Sequence, residues 1–148
     1  MAASSILATC WLAAASAFEP DLPPQLLYAI AEVESAFDPH AIEFPRNGTR
    51  SIGLMQINSI WFDELAKAGI SEQELYDPCV NIHAGAWILS REVRRYGFTW
   101  EAIGAYNAGP YNSKSHRWKV RYYRAYAEKV FAAWHRLKNR AEVAVAAR

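Results

Sequence analysis

A carboxyl group set among apolar side chains can serve as a proton donor, and the chain offers one clear candidate, Glu34. When residues 24–37 are placed about 100° apart, Leu26, Leu27, Ile30, Val33 and Phe37 fall on one side. Glu34 falls on that side too, between the directions of Leu27 and Ile30, whereas Glu32 points the opposite way, toward solvent. Burial disfavours the charged form of a carboxyl group and lifts its pKa, so Glu34 can hold its proton near neutral pH. A general acid for a glycosidic oxygen needs that state. The alternative is a glutamate at the edge of the stripe that reaches water or pairs with an arginine. Two further segments carry suitable polar groups. Gly53-Leu54-Met55-Gln56-Ile57-Asn58 sets amides among apolar residues, and Ala105-Tyr106-Asn107-Ala108-Gly109 puts a phenol and an amide at a helix end. Amides and a hydroxyl around a protonated carboxyl suit a neutral polymer rich in hydroxyl and acetamide groups. No HExxH, CxxC, GxSxG or phosphate-loop pattern occurs. His40, His83, His116 and His135 lack metal-ligand spacing. Neither a metal nor a cofactor is expected.

The elements that must position these groups are mostly helical. Pro24 suits the first turn of the Glu34 helix, and Asp38-Pro39 closes it. Asn47-Gly48 marks a tight turn between short segments, enough for at most a small hairpin. Ser59 is expected to cap a helix running to Ala68, with Gly69 as terminator. Ser71-x-x-Glu74 is a capping-box pattern. Asp77-Pro78 opens a long helix that ends near Gly97. Thr99 caps the next, which Gly109-Pro110 stops. Residues 111–116 read as a polar loop. The last helix carries Val120, Tyr123, Val130, Phe131, Trp134 and Leu137 at helical spacing. The fold class is mostly α with a minor hairpin, in one domain.

At 148 residues the chain can build one core and not two. Hydrophobic residues make up 52% and the net charge is +1, which describes a folded globular protein and argues against a dedicated nucleic-acid binder. Between Lys114 and Arg140 the only acid is Glu128. That helix could face an anionic polymer, a membrane surface or an acidic partner, or be an ordinary solvated face. No apolar run is long enough to span a membrane. Residues 1–17 read either as a partial leader, with Ala15-Ser16-Ala17 as a cleavage site but no basic start, or as the first helix of the mature domain from Thr9 to Phe18. The choice decides the fate of Cys10. If both cysteines stay, Cys10 and Cys79 can form one disulfide worth roughly 4 kcal/mol in the chain-entropy model. Two free thiols, or a lone Cys79, are the alternatives. Residues 139–148 have little to pack and are expected to fray.

With those motifs in place, the chain resembles the soluble lytic transglycosylases, which share the goose-type lysozyme fold. Glu34-Ser35, Gly53-Leu54-Met55-Gln56 and Ala105-Tyr106-Asn107-Ala108-Gly109 stand in that family's order. Asn47-Gly48-Thr49, Asp77-Pro78-Cys79 and Gly85-Ala86-Trp87-Ile88-Leu89 are most similar to small specialised members that accompany type III and type IV secretion systems, pili and conjugation machinery. The resemblance implies a lysozyme-like domain over 10–138, a Cys10–Cys79 disulfide, and a monomer in the periplasm. Peptidoglycan glycan strands would be the substrate and apparatus components the partners. Glu34 would be the sole catalytic acid/base. Ser35, Met55, Gln56, Asn58, Asn81, Ala105, Tyr106 and Asn107 would be the substrate contacts, Asn81 near the acetamide group.

The segment from Asn47 to Ser59 also resembles the hairpin of animal-type lysozymes, where an Asp precedes the residue-Gly pair. Ser51 stands there in this chain. Glu43 is the only nearby acid, and nothing in its sequence context singles it out. A lone Glu34 fits substrate assistance, with the N-acetyl group stabilising the cation and the C6 hydroxyl closing a 1,6-anhydro ring. A hydrolytic muramidase is the nearest rival. A non-catalytic peptidoglycan-binding subunit is the other.

Overall fold

The computed structural model describes residues 2–109 and 116–146. Among them, six helices carry the fold: α1 (Ala2–Ala15), α2 (Pro24–Ser35), α3 (Phe62–Lys67), α4 (Pro78–Tyr96), α5 (Trp100–Ala108) and α6 (His116–Ala146). Three two-residue strands, β1 (Ile42–Glu43), β2 (Ser51–Ile52) and β3 (Ile57–Asn58), form an antiparallel sheet in the order β1-β2-β3. The mostly α reading holds. The sheet has one strand more than a hairpin, because the Gly53–Gln56 turn folds β3 back onto β2. Glu43 pairs with Ser51, and Ser51 with Asn58.

The helix ends follow local chemistry. Asp77 Oδ1 accepts from the Val80 N–H at 3.0 Å, and Pro78 occupies the first turn of α4. Thr99 Oγ1 accepts from the Ala102 N–H. Ser71 and Glu74 make the reciprocal capping box, here around a 3-10 turn, Gln73–Tyr76. Asn58, rather than Ser59, is the cap ahead of α3. Its Oδ1 accepts from the Ile60 N–H at 3.1 Å and starts a 3-10 turn, Ser59–Trp61. α2 stops at Ser35, two residues before the expected end. Ala36 and Phe37 adopt φ of 51° and 64°, and their N–H groups close onto Glu32 and Ala31 carbonyls.

The core forms where α2, α4, α5 and α6 meet. Leu26, Leu27, Ile30, Ile82, Leu89, Ile103 and Val130 are buried there. α5 lies tightly on α6 at Gly104, where an added Cβ would fall 2.3 Å from the Tyr123 Cβ. That contact fixes the Ala105–Asn107 end of α5 against α6. α1 packs along α4, and the Cys10–Cys79 disulfide ties the two with Cα atoms 5.3 Å apart. α1 begins at Ala2 and ends at Ala15, earlier at both ends than Thr9–Phe18. α6 continues to Ala146, through much of 139–148. Of the polar loop expected over 111–116, residues 111–115 lie outside the described residues, and His116 instead begins α6. Among them, no helix is long and apolar enough to cross a membrane.

Candidate active site

Glu34 sits at the last turn of α2, where the apolar face of the helix meets a cleft. Two cavities, of about 420 and 310 Å³, adjoin there and share Glu34, Glu43, Asn107 and Tyr122 in their walls. The larger runs along the sheet past Ser51, Gln56, Asn58 and Trp61. The smaller runs along α6 past Tyr126 and Lys129. An extended polymer laid through both would cross Glu34 in the middle.

The carboxyl of Glu34 is raised from 4.5 to about 7. Burial is the main cause, since the low-dielectric surroundings penalise the charge. Hydrogen bonds from Tyr126 and Asn107 pull the other way, and the charge of Glu43 adds a further upward push. The Tyr126 hydroxyl donates to Glu34 Oε1 at 2.5 Å, and the Asn107 amide approaches the same oxygen at 3.5 Å. Burial, followed by the charge on Glu34, holds both Tyr106 and Tyr126 well above the ordinary phenol range. Both therefore remain hydroxyl donors at neutral pH.

The wall opposite depends on the Gly53–Gln56 turn. Gly53 has φ of +78° and Gln56 +50°. A side chain at Gly53 would collide with Asn81, whose Nδ2 lies 2.3 Å from the Cβ position, and would sit 3.0 Å from the Leu75 carbonyl. Asn81 fills that space and devotes its whole amide to the turn. Its Oδ1 accepts from the Met55 N–H at 2.7 Å, and its Nδ2 donates to the Ile52 and Leu75 carbonyls at 2.9 and 2.8 Å. Gln56 Nε2 donates to Ala41 and Gly53 carbonyls, which leaves its buried Oε1 without a partner among the described residues. Tyr106 donates to the Met55 carbonyl at 2.7 Å and joins α5 to the same turn.

Of the residues expected at the site, Glu34, Gln56, Asn58, Tyr106 and Asn107 line the cleft. Four others stand behind it. Asn81 is 1% exposed, so it supports the turn and does not face an acetamide group. Met55 and Ala105 are buried in the same layer. Ser35 Oγ donates to the Leu54 carbonyl at 2.8 Å and to that of Ala31 at 3.3 Å, fastening α2 to the turn. Asn58 Nδ2 is engaged with Thr49 and Ser51 hydroxyls, so it shapes the wall from within the sheet. Glu32 is not simply solvated. It is half-buried beside α6 and pairs with Arg136 at 3.4 Å. Sequence reasoning missed Tyr126, Tyr122 and Lys129 altogether. Among the described residues, no group of His, Cys, Asp and Glu side chains is arranged to hold a metal ion.

A helical domain with a small sheet and a long polar cleft that holds a raised carboxyl defines a lysozyme-like, glycan-cleaving enzyme. Residues 9–131 match the transglycosylase SLT domain, and the chain belongs to that family. It is 46% identical over 133 residues to invasion protein IagB of Salmonella typhi, covering 89% of this chain and 79% of that protein. It is 42% identical over 103 residues to protein IpgF of Shigella flexneri, covering 69% and 66%. With the X polypeptide of Escherichia coli it shares 43% over 120 residues, covering 80% and 69%. The motif resemblance is borne out. The chain is a lytic transglycosylase, and peptidoglycan is its substrate.

Proposed function

We propose that Glu34 is the single acid and base of a reaction that leaves 1,6-anhydro-N-acetylmuramic acid ends. The supporting observation is its position where the two cavities adjoin, with the carboxyl raised to about 7 and held by Tyr126. Glu34 gives its proton to the glycosidic oxygen between N-acetylmuramic acid and N-acetylglucosamine. The N-acetyl oxygen of the muramic ring stabilises the cation that develops at C1. Glu34, now a carboxylate, takes the proton of the C6 hydroxyl, and that oxygen closes on C1. Attack from within the ring needs no enzyme nucleophile and gains from proximity. Gln56 lines the larger cavity beside Glu34 and forms part of the sugar-facing wall. Tyr126 holds Glu34 in register for both proton transfers.

The enzyme acts outside the cytoplasm, in the periplasm, and opens the wall locally for a secretion or pilus apparatus. The similarity to IagB, an invasion protein, supports that setting. Hydrolysis is the second reading, because Glu43 also lines the cleft and could activate water. Mass spectrometry of muropeptides released from sacculi separates the two, the anhydro product being lighter by one water. Mainly reducing muramic acid ends would overturn the cyclisation. Glu34→Gln keeps the shape and removes the transferable proton, so turnover falls at least about a hundredfold. Near-wild-type turnover in that variant would remove Glu34 from its role.

A further inference from the structure

Ser51 stands on β2 in the wall of the larger cavity, and its side chain is a hydroxyl. The sheet register places a carboxylate beside it all the same. Glu43 on β1 pairs directly with Ser51 on β2. Side chains of directly paired residues project from the same face, about 5 Å apart at Cβ. Both accordingly line the larger cavity, and Glu43 also lines the smaller one. Glu34 and Glu43 are the only acids in either wall among the described residues, and both stand at the junction.

We propose that Glu43 is the second carboxylate of this cleft, carried one strand over from Ser51, and that it tunes the general acid Glu34 across the junction of the two cavities. It is a positioning residue for the general acid and takes no part in bond making. This rests on the reading of Glu34 as the acid. The groups that face Glu34 have distinct effects. Tyr106 and Asn107 come from α5, and Tyr122, Tyr126 and Lys129 from α6. Tyr106 and Tyr126 are neutral, and the Tyr126 and Asn107 hydrogen bonds favour the carboxylate. Burial and Glu43 oppose them, and Glu43 is the charged one of the two. On α2 itself, Glu32 is engaged with Arg136.

The sign is definite. A negative neighbour favours the protonated acid, so its removal makes Glu34 lose its proton at lower pH. The test is the pH profile of kcat/KM on purified glycan strands for wild type, Glu43→Gln, Glu43→Asp and the double variant Glu43→Gln/Ser51→Asp. In Glu43→Gln the alkaline limb moves down by roughly half a pH unit, about threefold in rate on the limb, while the acid-side plateau stays. Glu43→Asp keeps the wild-type limb. Adding Ser51→Asp to Glu43→Gln returns the limb by moving the carboxylate back across the ladder. An unmoved limb overturns the proposal. So does an equal loss at every pH, which would put Glu43 on substrate or water instead. If Glu34→Gln kept its activity, the reading of the acid would fail first, and that variant reports it separately.

Discussion

Asn81→Ala separates support of the turn from contact with substrate. The Asn81 amide makes three buried hydrogen bonds to the backbone, at 2.7, 2.9 and 2.8 Å, from a side chain that is 1% exposed. Truncation leaves the Met55 N–H and the Ile52 and Leu75 carbonyls without that partner and too deep for water. Each buried orphan costs about 1–3 kcal/mol, less for a carbonyl that keeps another bond. The sum is roughly 3–6 kcal/mol, a large share of the about 5–15 kcal/mol that holds a domain together. Asn81→Asp keeps the acceptor for Met55 and removes both donors, so most of the loss remains. Denaturant titration with the disulfide intact measures it as a lower midpoint at unchanged slope. A loss under about 1 kcal/mol, with KM for glycan strands sharply raised, would refute the reasoning. Asn81 would then be a sugar contact after all.

Tyr126→Phe removes a hydrogen bond that favours the charged form of Glu34. The alkaline limb of the rate profile therefore moves to higher pH, opposite to Glu43→Gln, and an unmoved limb would show that the bond is not made in solution. Cys10→Ser/Cys79→Ser opens a link between residues 69 apart and costs roughly 4 kcal/mol in the chain-entropy model, with reductant then having no further effect on the melting temperature. Glu32→Gln breaks a half-exposed pair with Arg136, so stability falls by under about 1 kcal/mol and turnover on sacculi stays near wild type.

Much of the fold was legible because its punctuation is local. Asp77-Pro78, Thr99 and the Ser71–Glu74 box each act within four residues, and each caps where the sequence placed it. The phase of Glu34 was legible for the same reason, since periodicity within α2 sets it. Contacts across the chain were not. Tyr126 lies 92 residues from Glu34, in a helix with many aromatic residues at helical spacing, and nothing local marks it as the one that reaches the acid. Glu32 was read as solvated because its partner, Arg136, comes from a distant helix. Asn81 points inward. What lies inward is the backbone of a turn rather than a sugar, and that depends on Gly53 leaving the space. Glu43 acquires significance only through the strand register, which two-residue strands do not announce in sequence.

The raised carboxyl of Glu34 also links catalysis to the folding equilibrium. In the unfolded chain this residue titrates near 4.5, and in the folded one near 7. Across that window the native state binds a proton that the unfolded state releases. Raising the pH through it therefore erodes stability, by a ceiling of about 3 kcal/mol that partial solvent access reduces. Below the window the acid is loaded with its proton and the fold is at its tightest. Above it the proton is gone and a charged carboxylate sits in a half-buried site that the Tyr126 hydroxyl only partly compensates. With Glu34 as the proposed acid, one titration governs both whether the enzyme can cut and how firmly it holds together. A Glu34→Gln chain should outlast the wild type in mild alkali, by as much as the native state loses in burying the charged carboxylate.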